Sequence, residues 1–307
     1  MADYGTAIRK SRARLSGVAG LSAAALILVA ACSSGGLGAA GSSGSAGASG
    51  SAGGNGSTGG SGSAGGSGSG GAATTAKKAL VATASRAQKI NSAVERLTIR
   101  ETGVQSGKTS GVVQFQRSPT PLIGETLKVA VAGKSTQIKA VLTGTTFYLN
   151  EPGLTAKLGK PWLKLDLSGL KNTPLGSITR LVHNLQSNNF LNLTQLFAAT
   201  KNVRVVGKRT VDGVATTEYA GTFHADQALK ALSPAYRKVL GPEFQALGDT
   251  LVSFHIWVDG QRYTRKATEV ETINGETIST TVIVRAINQP VHIAIPPASE
   301  TATPPGV

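Results

Sequence analysis

The side chains able to do chemistry are few and widely spaced. The 307-residue chain has a single thiol, Cys32, and four histidines, His183, His224, His255 and His292. The histidines fall on separate segments with none of the HExxH-type spacing that would put two ligands on one helix face. Surface or capping roles account for each, and no metal site is expected. Residues 103–109 (GVQSGKT) look like a phosphate loop. They have three residues between the glycines where that motif needs four, and no helix follows whose free amides could hold phosphate. A hairpin turn is the expectation. Neither a GxSxG elbow nor an SxxK nucleophile is present. Asp166, Asp212 and Asp259 sit at strand ends or beside glycines, where turn formation explains them. The expectation is a protein without an active site or a cofactor.

Cys32 is placed differently. Arg9, Lys10, Arg12 and Arg14 precede an apolar stretch from Leu15 to Ala31, and Val29, Ala30 and Ala31 lead directly into Cys32 and Ser33. A basic cluster before a short apolar run is an export signal, and the run is marginal for a permanent span. The order of branched aliphatic residue, two small residues and cysteine resembles the bacterial lipobox. That resemblance implies removal of residues 1–31 as a signal peptide and attachment of diacylglycerol to Cys32. Two acyl chains give lasting attachment at about 0.8 kcal/mol per buried CH₂. The mature protein is then expected on the outer face of a bacterial plasma membrane, held there through acylated Cys32.

From Ser33 to Gly71 the chain is Gly, Ser and Ala except for Leu37, Asn55 and Thr58, and no charge occurs between Arg14 and Lys77. Such composition cannot bury enough apolar surface to fold. Residues 32–73 are read as the lipidated cysteine plus a disordered tether, whose r.m.s. span is on the order of 35 Å. The folded domain is expected at 74–298, with a disordered tail at 299–307. Net charge is +15, which favours anionic lipid headgroups or acidic envelope polymers. Nucleic acid is excluded by the scattered cations, the few aromatics and the location.

The elements follow from periodicity. Residues 75–96 place Leu80, Ala84, Ala87, Ile90 and Val94 at helical intervals, with Leu97 next in the stripe. The period then becomes two through 97–102, 111–116, 126–131, 137–142, 146–149 and 162–167, joined by Gly, Ser, Asn and Pro. Helical spacing returns in 177–197. Strands resume at 202–207 and 215–223, a helical interlude covers 225–247, and three strands follow at 250–259, 262–273 and 276–287. An extended tail ends the domain at 291–295. The fold class is α+β, an antiparallel sheet of roughly ten strands with one apolar and one cationic face.

Residues 145–149 (TTFYL), 160–167 (KPWLKLDL), 213–219 (GVATTEY), 256–260 (IWVDG) and 290–296 (PVHIAIP), set in this element order, resemble the actinobacterial LppX/LprG-type lipoproteins. These share a half-barrel fold with the LolA carriers. The resemblance implies a strongly curved sheet with helices covering its concave face. It also implies an acylated lipid or glycolipid held in a hydrophobic cavity between them.

Strand alternation proposes the cavity lining as Val113, Phe115, Leu127, Val129, Val131, Ile138, Leu142, Phe147 and Leu149, with Ala140, Leu163 and Leu165 beside them. Leu181, Leu185 and Phe197, with Phe190 and Leu196, would form the opposite wall. Core packing accounts for each singly, while the abundance of small apolar residues favours an unfilled interior. Two functions follow: a lipid carrier of the cell envelope, or a non-catalytic scaffold module whose sheet surface recruits another envelope protein. The sequence identifies neither the lipid nor a transporter partner.

Overall fold

A computed structural model of the protein describes residues 69–303, except 104–105, 157, 171–199, 201, 232–233, 235–236, 238–246 and 274. The Cys32 segment, nearly all of the tether and the expected helix at 177–197 lie outside the described residues.

Helix α1 (Ser69–Ala87) opens the described chain. The helical stripe predicted through 96 stops nine residues earlier. Ile90 N–H donates to Ala87 O in a closing turn, and strand β1 (Ser92–Thr102) begins at once. Val94 and Leu97 therefore belong to a strand. They sit at helical spacing from α1 by coincidence, and pairing of β1 with strands on both sides overrides that local period.

Strands β2 (Gly107–Gln116), β3 (Leu122–Val131), β4 (Lys134–Thr143), β5 (Thr146–Asn150) and β6 (Trp162–Asp166) form a meander, with the short helix α2 (Pro152–Thr155) between the last two. The second run contains β7 (Arg204–Val211), β8 (Val214–His224), helix α3 (Ala225–Ala231), β9 (Leu251–Asp259), β10 (Thr264–Ile273) and β11 (Glu276–Arg285). The turns carry the chemistry their geometry demands. Asp212 and Gly213 take φ of 47° and 81° between the paired Val211 and Val214, a two-residue loop that suits Asp-Gly.

All strands join one open, curved sheet in the order β12-β6-β5-β4-β3-β2-β1-β11-β10-β9-β8-β7. Twelve described strands replace the expected ten or so. The sheet is mixed, because the short β12 (Thr301–Ala302) runs parallel to β6, with Thr301 opposite Trp162. The segment beyond 298, read from sequence as a disordered tail, thus places Thr301 and Ala302 at the sheet edge. The central join is long-range: β1 pairs with β11, Leu97 opposite Val282.

Alternation divides the sheet into two faces. One buries Leu97, Ile99, Val113, Leu127 and Ile278 as a single cluster at its centre. At the β4–β6 end the same face buries Leu142, Phe147, Leu149 and Leu165. At the β7–β9 end α1 lies against it, with Ala76, Ala79, Leu80 and Ala84 among Tyr219, Phe223, Val252, Phe254 and Ile256. The alanines let the helix backbone approach closely. Thr83, wholly buried in that contact, donates its hydroxyl to Ala79 O at 3.0 Å and leaves no polar atom stranded. Each large apolar side chain so buried stabilises the fold by about 1.5–3 kcal/mol. Helical cover is thus described for one end of the face, and cover by 177–197 is not among the described residues.

Candidate functional site: the inner face of the sheet

The register shows which proposed lining residues share a surface. Phe115 stands opposite Ile123, Ile123 opposite Leu142, Leu142 opposite Phe147 and Phe147 opposite Leu165. A second row runs from Val113 through Glu125 and Ala140 to Leu149 and Leu163. Leu127 meets Ile138, and Val129 meets Thr136. Val113, Phe115, Leu127, Leu142, Phe147 and Leu149 are buried, and Val129 and Ile138 are half-buried. The nine sheet residues named from sequence all lie on this face. Val131, proposed for the lining, ends β3 beside a turn and is 42% exposed. Leu181, Leu185, Phe190, Leu196 and Phe197 lie outside the described residues.

The same face holds side chains that alternation of apolar residues did not suggest. Glu95, Glu125, Glu269 and Glu271 are all buried. Glu95 and Glu125 flank Val113 in one row, on β1 and β3. Glu271 lies opposite Ile278, which on its other side meets Glu101. Oε1 of Glu95, Oε2 of Glu125 and both carboxyl oxygens of Glu271 have no hydrogen-bond partner. Burial pushes the carboxyls of Glu95 and Glu125 well above the ordinary range. Burial also raises Glu271 to about 7. Glu101 is raised by burial and then by the charge of Glu276. The signal for two of these was present in sequence: Glu95 is two residues before Leu97 and Glu125 two before Leu127, at inward parity. Glu95 falls instead within the helix expected at 75–96, and Glu125 just before the strand expected at 126–131.

The opposite face is basic. Lys266, Ile283, Arg96, Val112, Thr126 and Lys139 make one row across β10, β11, β1, β2, β3 and β4. Arg100 pairs with Lys108 in a parallel row, and Lys128 lies between the two rows. The cationic face expected from sequence is therefore present.

The described histidines do not converge. His224 Nδ1 lies 2.8 Å from Asp249 Oδ1. His255 Nδ1 is 2.6 Å from Glu218 Oε1, whose other oxygen meets Arg209 Nε at 3.1 Å, and its ring stacks on Trp257. His183 is outside the described residues. Among the described residues no group of three His, Cys, Asp or Glu side chains could hold a metal. Of residues 103–109, Gly107 to Thr109 lie in β2, where Gly107 stands opposite Glu101 of β1. Asp259 is a turn residue as expected: its Oδ1 accepts from the amides of Gln261 and Tyr263 at 2.9 Å, and its Oδ2 from Arg265 Nε at 2.7 Å. No described helix is long and apolar enough to cross a membrane.

No protein-family model and no curated protein sequence matches the chain. Solved structures do. The crystal structure of LprF from Mycobacterium bovis is similar over 73% of this chain and 97% of its own, at 14% identity and a TM-score of 0.50. The Mycobacterium tuberculosis lipoprotein LppX aligns over 72% of this chain and 99% of its own, at 17% identity and a TM-score of 0.41. A LolA superfamily protein from Nitrosomonas europaea aligns at 9% identity, covering 70% and 94%, with a TM-score of 0.25. In its fold, the described domain is similar to the LppX/LprG-type lipoproteins that its sequence motifs resemble.

Proposed function

We propose that this protein is a lipoprotein of the cell envelope, anchored through acylated Cys32 to the outer face of the plasma membrane. It binds an acylated lipid or glycolipid against the inner face of its sheet and carries it within the envelope without catalysing a reaction. The observation that supports this reading best is the continuous apolar surface from Phe115 to Leu165, set on an open curved sheet with the fold of LprF. An open sheet that presents one apolar face can shield acyl chains from water over its width. The tether of residues 33–71 supplies the reach for pickup and delivery.

The scaffold alternative is favoured by a different observation, the basic outer face with Arg96, Arg100, Lys108, Lys128 and Lys139. Organic extraction of the purified protein, followed by mass spectrometry, separates the two. Non-covalent lipid in stoichiometric amount is the expected result. Protein free of extractable lipid, and unable to take up lipid offered to it, would leave the scaffold reading standing.

A further inference from the structure

The two faces of the sheet are sorted by charge. In β10, β11, β1, β2, β3 and β4 every acid, namely Glu95, Glu101, Glu125, Glu269, Glu271 and Glu276, stands at an inward position. Arg96, Arg100, Lys108, Lys128, Lys139 and Lys266 stand outward. Lys266 is half-buried and the others are exposed. Among the described residues none of these cations is in an ion pair, whereas the outward Arg285 is held by Asp212 at 2.6 Å. Burial of one face asks only that the other be polar. It does not explain a single sign of charge.

The surface has limits and a character. The row from Lys266 to Lys139 crosses five strand spacings, about 24 Å. Thr98, Ser110, Thr126 and Gln137 stand between the cations, so the charge is spread over the face. Toward β5 the C-terminal segment covers the face. Ile293 lies against Gly124, where an added Cβ would meet it at 2.9 Å, and Val141 and Tyr148 in the same row are buried. Toward β7, the outward Glu218 is 6% exposed and held by Arg209 and His255. Between these limits apolar side chains also reach the surface. Val112 and Val270 are exposed, and Trp257 lies beneath Lys266, whose Nζ is 4.4 Å from the ring centre.

We propose that this outer face docks the domain on an anionic bilayer. Spread cations of one sign match a surface of mobile headgroups, which gather beneath them. A rigid partner would need its acids at fixed points to do the same. A tryptophan under a lysine, with valines among the cations, is a composition suited to headgroup level. The bilayer is also within reach, since the tether holds the domain on the order of 35 Å from it and raises its local concentration there. This inference takes the Cys32 anchor from the reading above and is independent of what the inner face binds. Docked so, the domain turns its apolar face away from the membrane that carries it.

The test uses the acylated full chain in vesicles, with Trp162→Phe so that Trp257 is the sole tryptophan. The vesicles are phosphatidylcholine, with or without a third of phosphatidylglycerol. Both kinds carry the same fraction of phosphatidylcholine with a headgroup nitroxide, which quenches tryptophan close to the surface. Quenching is expected to be at least threefold greater with phosphatidylglycerol, and half-molar salt should return it to the neutral level. Arg96→Glu, Arg100→Glu and Lys128→Glu together should abolish the difference. Lys77→Glu, Lys78→Glu and Lys89→Glu, at exposed positions on or just after α1, make the same change in net charge and should keep it. Equal quenching in the two kinds of vesicle overturns the docking face and leaves those cations to an acidic protein partner. A difference that survives in the outer-face variant, or is lost in both variants, overturns it in favour of net charge alone. The salt comparison on the parent chain decides without any charge variant. Flotation with vesicles free of phosphatidylglycerol reports the Cys32 anchor by itself, so a failure there is a failure of the anchor, and the anionic vesicles still test the face.

Discussion

The ring of Phe254 lies directly over Gly221 on the neighbouring strand, so close that a Cβ at 221 would stand 2.7 Å from Cζ of the ring. Phe254 is 1% exposed and packs among Leu80, Phe223 and Ile256 beneath α1, so it has little room to yield. Gly221→Ala is expected to destabilise the domain by about 1–3 kcal/mol through overpacking, seen as a lower midpoint in denaturant. An unchanged midpoint would show that the ring can move.

Asp259 is the anchor of the β9–β10 turn. Its carboxylate holds two backbone amides and Arg265 while being 7% exposed. Asp259→Ala leaves those donors without their acceptor and should cost on the order of 2–4 kcal/mol, since hydrogen bonds to a charged group are among the stronger ones. Thermal unfolding measures it, and a loss below half of that range would mean that water replaces the carboxylate.

The raised carboxyl of Glu271 makes stability depend on pH. The unfolded chain loses this proton near 4.5 and the folded chain near 7. Between those values the native state binds more protons than the unfolded state, so stability falls as pH rises. The contribution is fully present below 4.5, is lost as pH rises through about 7, and amounts to at most about 3 kcal/mol. Glu269, two residues away on the same face, and Glu101, across Ile278, bear on the same site. Glu271→Gln should flatten the slope of unfolding free energy over this window, and an unaltered slope would assign it elsewhere.

Val129 tests whether the inner face has free space. It is half-buried and stands between Thr109 and Thr136. In a filled core Val129→Trp would cost about 1–3 kcal/mol. The lipid-binding reading expects stability to hold while extractable lipid falls severalfold. Val131→Trp, at the exposed end of β3, serves as control and should change neither.

Cys32→Ala should abolish palmitate labelling and release the protein from membranes, because the chain has no other thiol. Label retained in that variant would contradict the lipobox reading.

Much of this fold was legible because a strand with one buried face writes a period of two. The β9–β11 run at 250–287 is matched within a few residues, and its turns are named by Asp259-Gly260 and Gly275. What was not legible has two causes. The stripe of Leu80, Ala84 and Ala87 continues by chance into Val94 and Leu97, so the helix end was hidden. Period also carries no information on partners, so the β1–β11 join and the two-residue β12 could not be foreseen. The inner carboxyls escaped for a related reason, since a buried glutamate and an exposed one are the same letter, and only the register shows that Glu125 follows Val113.

Because β1 sits between β2 and β11, the middle of this sheet is completed by the eleventh of its twelve described strands. Until residues 276–285 arrive, β1 is an open edge with its apolar side chains uncovered, a template for pairing with another copy. A chain cut short before that strand loses its centre, not its rim, and leaves two half-sheets without a join. Folding thus has one clear checkpoint, the docking of β11 against β1. The nascent chain must stay extended, and apart from its siblings, until that checkpoint is passed.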